Sequence, residues 1–246
     1  MRTHPCPVVE LRQYTLYPGR RDELIELFER KFVESQEAAG ATLLGQFRDM
    51  DHPDRFVWLR GFEDMPQRAE ALRRFYGGPV WHAHREAANA TMADSDDVLL
   101  LRPVSADSGF ALPEPGTRPA PGEPAQPPSP LVLATVWYGN RPFDAESAEF
   151  FRSRVRPVLA AAGVEPLSWL QTEHAPNTFP QLPVRSGEEV FVWFARFPDA
   201  ARADVRLERL RQATDWRALQ PELTRRWAAR PPQRLRLAPT ARSLLR

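Results

Sequence analysis

Cysteine, lysine and long apolar runs are nearly absent from the sequence. Cys6 is the only cysteine, so no disulfide can form within the chain and a reducing compartment is the expectation. Lys31 is the only lysine, and the remaining basic charge comes from arginines that are scattered without forming a patch. No apolar run approaches the roughly 18 residues that a membrane-spanning helix needs. These absences predict a cytoplasmic protein without a membrane span.

Motifs of the commonest cofactor and metal classes are also missing. The sequence has no glycine-rich nucleotide fingerprint, no phosphate-binding loop, no paired-cysteine zinc motif and no nucleophile elbow around a serine. Its formal net charge of +1 gives no global field that would attract nucleic acid or an anionic membrane. We therefore expect no nucleic-acid partner, no bound metal and no cofactor.

Proline is abundant, and much of it is concentrated between Pro103 and Pro130. Proline at this density removes backbone donors and fixes φ, which excludes a long helix or an interior strand. The segment therefore predicts an extended or disordered connector that is exposed to proteases, with only Phe110 and Leu112 able to anchor it. It divides the chain into three parts: residues 1–103, a proline-rich linker over 104–129, and residues 130–246.

The segments on either side of the linker repeat one pattern. Residues 56–64 align with residues 191–199 at an offset of 135 residues, and the same offset carries Trp81 onto Trp216. Before this block, corresponding residues of the two halves are 123 positions apart instead of 135. The second half therefore has an insertion of 12 residues ahead of the block. Two tryptophans and a nine-residue block in register indicate an internal duplication. The insertion is rich in proline and polar residues, as expected of a lengthened hairpin loop that could cover a pocket.

Each half predicts the same order of elements, β-α-β-β-α-α-β. In the first half, strands are expected over residues 8–16, 42–50, 55–62 and 97–102, with a helix over 20–39 and two shorter helices before the last strand. Helices that return to one face of an antiparallel sheet are typical of the ferredoxin-like arrangement. The predicted fold class is α+β, with two tandem ferredoxin-like (βαββαβ) domains that form an internal pseudo-dimeric α/β barrel.

The third strand of the first half is apolar on both faces. Phe56, Trp58 and Phe62 share one face, while Val57 and Leu59 share the other. A solvent-facing aromatic stripe would be an aggregation liability, whereas burial against a second sheet removes roughly 150–250 Å² of surface per aromatic from water. The duplication supplies that second sheet. We therefore expect the two sheets to face each other around an aromatic-lined barrel.

Short motifs of the first half resemble the NIPSNAP family. They are residues 10–19 and 44–47, Val57-Trp58, and Pro79-Val80-Trp81. The resemblance covers about residues 8–103 and implies the dimeric α/β-barrel fold, which small cofactor-free monooxygenases and isomerases share. It implies no settled enzymatic activity. The second half is less similar: it keeps the tryptophans but has Leu133, Thr135 and Trp137 where the first half has Glu10, Arg12 and Tyr14.

Glu10, Arg12 and Tyr14 alternate along the first strand and therefore project from one face. Charges on a central strand cost energy unless they are paired. One interpretation is a polar wall of the barrel cavity, in which Tyr14 donates a hydrogen bond and Arg12 holds an anionic group. The other interpretation is an ion pair, between Glu10 and either Arg12 or Arg60, that fixes the strand register.

Two histidines lie in the segment Trp81-His82-Ala83-His84. On a helix, residues two apart point in different directions, so His82 and His84 are not expected to bind one metal together. His84 aligns with Leu219, which predicts a buried position. It is then a hydrogen-bonded core histidine or an acid–base group of a pocket; a haem ligand is a third option, because related barrels bind haem.

These observations favour a protein of undetermined activity that binds a small molecule. The expected ligand is hydrophobic or aromatic and lies in the barrel, in contact with Glu10, Trp58, Arg60 and Trp81. Because the second half lacks the polar strand, the site is expected in the first half.

Two alternatives remain open from the sequence. The first is a cofactor-independent monooxygenase, isomerase or cyclase, in which Tyr14, Arg12 and His84 converge on one cavity as catalytic residues. The second is a scaffolding protein that acts through the proline-rich linker. A tandem chain of this kind is either a self-sufficient monomer or a subunit of a homodimer.

Overall fold

The computed structural model describes residues 6–111, 117–123 and 126–246. Eight antiparallel strands close into a barrel, with helices packed on the sheet outside it. The strands are β1 (Val8–Leu16), β2 (Thr42–Asp49), β3 (Arg55–Phe62), β4 (Met92–Pro103), β5 (Leu131–Gly139), β6 (Pro166–Thr172), β7 (Glu189–Phe197) and β8 (Arg230–Pro239). Strand β4 begins at Met92, earlier than the predicted start at Asp97.

The helices repeat in the same order in both halves. They are α1 (Arg21–Leu27), α2 (Val33–Ala39), α3 (Met65–Tyr76), α4 (Pro79–Asn89), α5 (Ala145–Phe150), α6 (Arg156–Ala161), α7 (Ala200–Gln212) and α8 (Thr214–Trp227). A π-helical segment joins α1 to α2 over Phe28–Phe32, and another joins α5 to α6 over Phe151–Val155. The helix predicted over residues 20–39 is therefore continuous but widened by a π turn. In the part of the chain that the structure describes, no helix is both long and apolar enough to cross a membrane.

Helix boundaries follow from local chemistry that the two halves share. The Asp64 carboxylate caps α3 by accepting a hydrogen bond from the Gln67 backbone N–H at 2.6 Å. Asp199 caps α7 in the same way, through the Arg202 N–H at 2.7 Å. Each cap satisfies a backbone donor that a helix start would otherwise leave without a partner. The duplicated sequence therefore starts corresponding helices at corresponding positions.

The strand order around the barrel is β1-β3-β2-β8-β5-β7-β6-β4. Each half contributes four strands in the ferredoxin-like order, with β1 and β3 central in the first half and β5 and β7 central in the second. The halves join at two seams, where β2 pairs with β8 and β4 pairs with β6. The predicted α+β fold, with two ferredoxin-like halves forming one barrel, is confirmed.

The barrel interior is packed mainly with aliphatic side chains. Val57 and Leu59 point inward and belong to one buried cluster with residues of the second half, among them Val132 and Leu237. An eight-stranded barrel has an interior just wide enough for side chains to fill, and branched aliphatic groups fill it here.

The aromatic face of β3 points outward, toward the helices of its own half. Phe56, Trp58 and Phe62 belong to a separate cluster with Phe28, whose ring lies 4.9 Å from that of Trp58. The expectation that this aromatic face lines the barrel is therefore wrong. The large rings are covered by the helix layer, and the smaller residues of the same strand meet the second sheet.

The linker is tied to the barrel in places that the structure describes. The Phe110 ring is buried in the barrel core, 5.0 Å from the ring of Phe194, which confirms Phe110 as an anchor. Arg118 donates hydrogen bonds to Glu37 at 2.8 Å and to the Leu43 carbonyl at 2.9 Å. The expectation that only Phe110 and Leu112 could anchor the linker is therefore wrong, because Arg118 also attaches it through an ion pair and a hydrogen bond. The other expected anchor, Leu112, lies outside the described residues.

Replacing Phe110 with alanine tests whether the linker contributes to the core. Deletion of a buried phenylalanine side chain loses its transfer energy and leaves a cavity, so we expect Phe110→Ala to lower the free energy of unfolding by about 3–5 kcal/mol. Urea denaturation measures this change. The exposed linker residue Gln126 provides the control, since Gln126→Ala is expected to change stability by less than about 0.5 kcal/mol. Equal stability of the two variants would contradict the assignment.

Candidate functional site

The polar residues of β1 face the helices of the first half. Arg12 lies opposite Trp58 in the sheet, and the Tyr14 ring packs edge-on against Trp58 with 5.7 Å between ring centroids. Because neighbours in register share a face, Glu10 lies on this same side, opposite Arg60. The interpretation of these residues as a polar wall of the barrel cavity is therefore wrong.

Glu10 is the centre of a buried ion-pair network. Its Oε2 accepts hydrogen bonds from Arg12 Nη1 and Arg60 Nε, both at 2.8 Å, and its Oε1 accepts one from Arg68 Nε at 2.6 Å. Arg60 also donates to Gln36 Oε1 at 2.8 Å. The carboxylate and the three arginines are at most 1% exposed. Both ion pairs suggested by the sequence, Glu10 with Arg12 and Glu10 with Arg60, are present.

The network keeps each of its titratable groups in a single protonation state near neutral pH. Burial would raise the pKa of Glu10, but the charges of Arg60, Arg12 and Arg68 hold this pKa well below its usual range. Burial also raises the pKa of Tyr14, whose hydroxyl accepts a hydrogen bond from Arg12 Nε at 3.1 Å. Glu10 therefore stays ionised and Tyr14 stays a phenol. Such groups suit a structural network better than proton transfer near pH 7.

His84 lies apart from the other two proposed catalytic residues. It is half-buried on α4, with its ring 6.5 Å from that of Phe32, whereas the aligned Leu219 is buried. The structure joins Arg12 to Tyr14 and leaves His84 outside their hydrogen-bond network. Within the described residues, no group of three or more His, Cys, Asp or Glu side chains is arranged to hold a metal ion.

The inserted loop of the second half lies across the first half. Arg68 Nη1 donates to Asn177 Oδ1 at 2.9 Å, and the Phe179 ring stacks on Tyr76 with 5.9 Å between centroids. Trp81, Tyr76 and Phe179 together line an open outer groove. The insertion thus covers the buried network of the first half.

Sequence reasoning missed two members of the network, Arg68 and Gln36. Both lie on helices, and the alternation of polar residues along β1 does not show which helix residues contact them. The duplication does carry a signal, because Arg68 aligns with Ala203 and Gln36 aligns with Leu159, both of which are buried. A long polar side chain in one half at a position that is buried and apolar in the other identifies a buried polar site.

The second half replaces the network by smaller or apolar side chains. Leu133, Thr135, Trp137, Ala195 and Ala203 stand where the first half has Glu10, Arg12, Tyr14, Arg60 and Arg68. Two of these exchanges substitute an alanine for a fully buried arginine. Each of these two exchanges removes a long side chain from the layer between the sheet and the helices, and both alanines are fully buried.

Three of the exchanged positions, Leu133, Thr135 and Trp137, line a cavity of about 310 Å³ in the second half. Its apolar lining consists of Leu133, Trp137, Trp193, Leu207, Leu210 and Trp216. Its polar lining consists of Asp51, Thr135, Asp204, Arg211, Arg234 and Arg236. Only Asp51 comes from the first half, where it follows β2 in the short hairpin that corresponds to the longer loop of the second half. The cavity therefore lies between β5, β7, β8 and the helix pair α7–α8.

Removing the carboxylate of Glu10 tests the role of the network. Glu10→Gln leaves three buried guanidinium groups without a counter-charge, so we expect a loss of about 3–5 kcal/mol in the free energy of unfolding at pH 7. Because folding lowers the pKa of Glu10, its contribution is complete above the unfolded pKa of about 4.3 and is lost as the pH falls toward the folded value. The difference between the two proteins should therefore narrow below about pH 4.

Urea denaturation at several pH values measures this difference. Glu26→Gln is the control, because the Glu26 side chain is 68% exposed in its ion pair with Arg30, and exposed pairs contribute about 0–1 kcal/mol. A stability difference between wild type and Glu10→Gln that is the same at pH 7 and pH 3 would contradict the assignment of the ionised carboxylate as the stabilising group.

Comparison with known families and structures agrees with the fold and with the motifs of the first half. Residues 9–106 match the NIPSNAP family model, so the resemblance seen in the sequence is confirmed. No curated protein matches the chain in sequence.

Solved structures similar to the whole chain have the same barrel. A "putative monooxygenase" from Fusobacterium nucleatum is 10% identical with a TM-score of 0.55, over 97% of this chain and 94% of that one. A protein of the same description from Lactobacillus acidophilus is 15% identical with a TM-score of 0.51, over 95% and 94%. An anthrone oxidase-like protein is 12% identical with a TM-score of 0.55, over 98% and 94%. At these identities the likeness establishes the fold, and residues 9–106 are the part of this chain that matches the NIPSNAP family model.

Proposed function

We propose that the protein binds a small planar aromatic molecule in the cavity of the second half. The observation that carries this proposal is the lining, in which Trp137, Trp193 and Trp216 surround a volume of about 310 Å³. Pockets that bind small molecules are mostly apolar, with a few polar groups that orient the ligand. Aromatic walls favour flat ligands, because stacked or edge-on ring contacts add to the burial of apolar surface.

The proposed location differs from the one expected from the sequence. Glu10, Trp58 and Arg60 are buried in the first-half network, and Trp81 lies in the outer groove beside the inserted loop. The counterparts of the two tryptophans, Trp193 and Trp216, line the cavity. The aromatic framework common to both halves thus surrounds side chains in one half and a cavity in the other.

The size of the cavity limits the ligand to about one or two fused rings. A volume of about 310 Å³ is at the lower end of the range for ligand pockets. Burying roughly 200 Å² of apolar ligand surface contributes about 5 kcal/mol before the cost of immobilising the ligand.

Titration with 2-naphthamide, a neutral two-ring probe, tests the proposal by isothermal calorimetry. We expect one molecule bound per chain, with the affinity reduced at least tenfold in Trp216→Leu. The matched control is Trp81→Leu, which makes the same change at the equivalent position of the first half and should leave the affinity within twofold. Melting temperatures confirm that both variants fold.

A second variant keeps this experiment informative if Trp216→Leu is unstable. Leu210 aligns with Phe75 of the first half, so Leu210→Phe fills part of the cavity with the residue that the other half uses. It should also weaken binding. No binding by the wild-type protein, or equal effects of the Trp216 and Trp81 variants, would contradict the proposed site.

A second candidate function is cofactor-independent oxygenation of an electron-rich aromatic in the same cavity. It is favoured by the likeness, over nearly the whole chain, to proteins named for monooxygenase or oxidase activity. Such a reaction needs a group that accepts a proton from the substrate. The cavity offers Asp51 and Asp204, both of which are paired with Arg236 at 3.4 and 2.9 Å.

Oxygen uptake with 1-naphthol, an electron-rich two-ring phenol, as the probe tests this candidate. Its conversion to 1,4-naphthoquinone consumes one O2 and releases one water for each 1-naphthol oxidised. We expect uptake above the uncatalysed rate that falls at least tenfold in Trp216→Leu and is unchanged in Trp81→Leu. Uptake that does not depend on the protein, measured where binding is saturated, would exclude oxygenation of this substrate and leave the binding proposal intact.

A further inference from the structure

We infer that the ligand of the second-half cavity is an aromatic carboxylate, whose anionic group is received by Arg234 and Thr135. This inference rests on the proposed function, because it names the chemical class of the molecule bound there. It is carried by two features of the cavity wall. One is a guanidinium group without a protein counter-charge among the described residues, and the other is a buried hydroxyl without a hydrogen-bond partner.

Two of the three arginines that line the cavity are neutralised by carboxylates. Arg236 Nη2 lies 2.9 Å from Asp204 Oδ1, and its Nη1 lies 3.4 Å from Asp51 Oδ1. Arg211 Nη2 lies 2.7 Å from Glu208 Oε2. These guanidinium groups are therefore already engaged by protein charges.

Arg234 differs from its two neighbours. Among the described residues, no carboxylate lies within ion-pair distance of its guanidinium, although the side chain lines the cavity. The residue is exposed to solvent, and desolvation of part of its side chain together with the nearby charge of Arg211 lowers its pKa. An arginine nevertheless remains protonated at neutral pH, so Arg234 presents an uncompensated positive charge to the cavity.

Thr135 lies directly opposite Arg234 in the pairing of β5 with β8. Its side chain also lines the cavity, and the residue is 2% exposed. Its Oγ1 has no hydrogen-bond partner in the described part of the protein. A buried hydroxyl left without a hydrogen-bond partner is unfavourable. A ligand oxygen that accepts a hydrogen bond from this hydroxyl would remove that penalty.

A carboxylate matches this pair of donors. It has two oxygens, so one can accept from the guanidinium while the other accepts from the hydroxyl. A charge-assisted hydrogen bond of this kind is roughly twice as strong as a neutral one. The tryptophans are then positioned to contact the aromatic ring that carries the carboxylate.

The first half supplies an internal analogue of this arrangement. At the position of Thr135 it has Arg12, and at the position of Arg234 it has Val98. Arg12 is paired at 2.8 Å with the carboxylate of Glu10, at the position where the second half has Leu133. The first half thus carries its own carboxylate between sheet and helices. The second half has a cation and a donor there but an apolar residue instead of the carboxylate.

An isosteric pair of probes, 2-naphthoate and 2-naphthamide, separates recognition of charge from recognition of the ring. Calorimetric titration at pH 7 should show that wild-type protein binds 2-naphthoate at least tenfold more tightly than 2-naphthamide. In Arg234→Gln this preference should fall below threefold, with the affinity for 2-naphthamide unchanged. Thr135→Val should weaken 2-naphthoate binding severalfold. Arg209→Gln removes an exposed arginine of α7 that does not line the cavity, and it should retain the full preference.

Each outcome of this experiment has a distinct meaning. Equal affinities for the two probes in the wild type, or a preference that survives in Arg234→Gln, would overturn the inference and leave the proposed function standing. Loss of the preference in both Arg234→Gln and Arg209→Gln would indicate a general charge effect and would also overturn it. If neither probe binds, the proposed function fails and the inference fails with it.

Discussion

Each four-stranded half has two apolar faces, and the helices of that half can cover only one of them. The second face must be buried elsewhere, because a sheet of this size with an exposed apolar face would associate with other surfaces. Here the two halves bury these faces against each other. Val57 and Leu59 of one half share a core with Val132 of the other, and the closed strand order leaves the sheet without an edge. The linker residue Phe110 joins the same core.

The sequence predicted the fold well and the candidate site poorly, for physical reasons that particular residues illustrate. Element order follows from periodicity and from caps such as Asp64, which are local signals. No local signal in the sequence shows which face of β3 meets the second sheet, because Phe56 on one face and Val57 on the other both require burial. The tryptophan register located Trp216 but not the cavity beside it. Leu207 and Leu210 of α7 complete the apolar wall of that cavity, on a helix that the strand pattern does not address.

The two halves share one framework, but the space between sheet and helices is filled by an ion-pair network in the first half and contains a cavity in the second. Between the sheet and helices of the first half, one carboxylate binds three arginines, and the inserted loop is hydrogen-bonded to Arg68 through Asn177. A network of this kind is costly to break, since loss of one member leaves buried charges without partners. The equivalent space of the second half is lined by tryptophans, and the shorter β2–β3 hairpin reaches it only with Asp51. Charge and side-chain volume have been distributed unequally over a duplicated scaffold.

The inserted loop belongs to the second half but covers the first. In a dimer of identical subunits, such an insertion would occur twice and would cover both equivalent positions, because one gene would encode both. Joining the halves in a single chain removes that symmetry. A sequence change that covers the space between sheet and helices in one half then has no counterpart in the other half. Packing and cavity formation can therefore evolve independently in the two halves of one barrel.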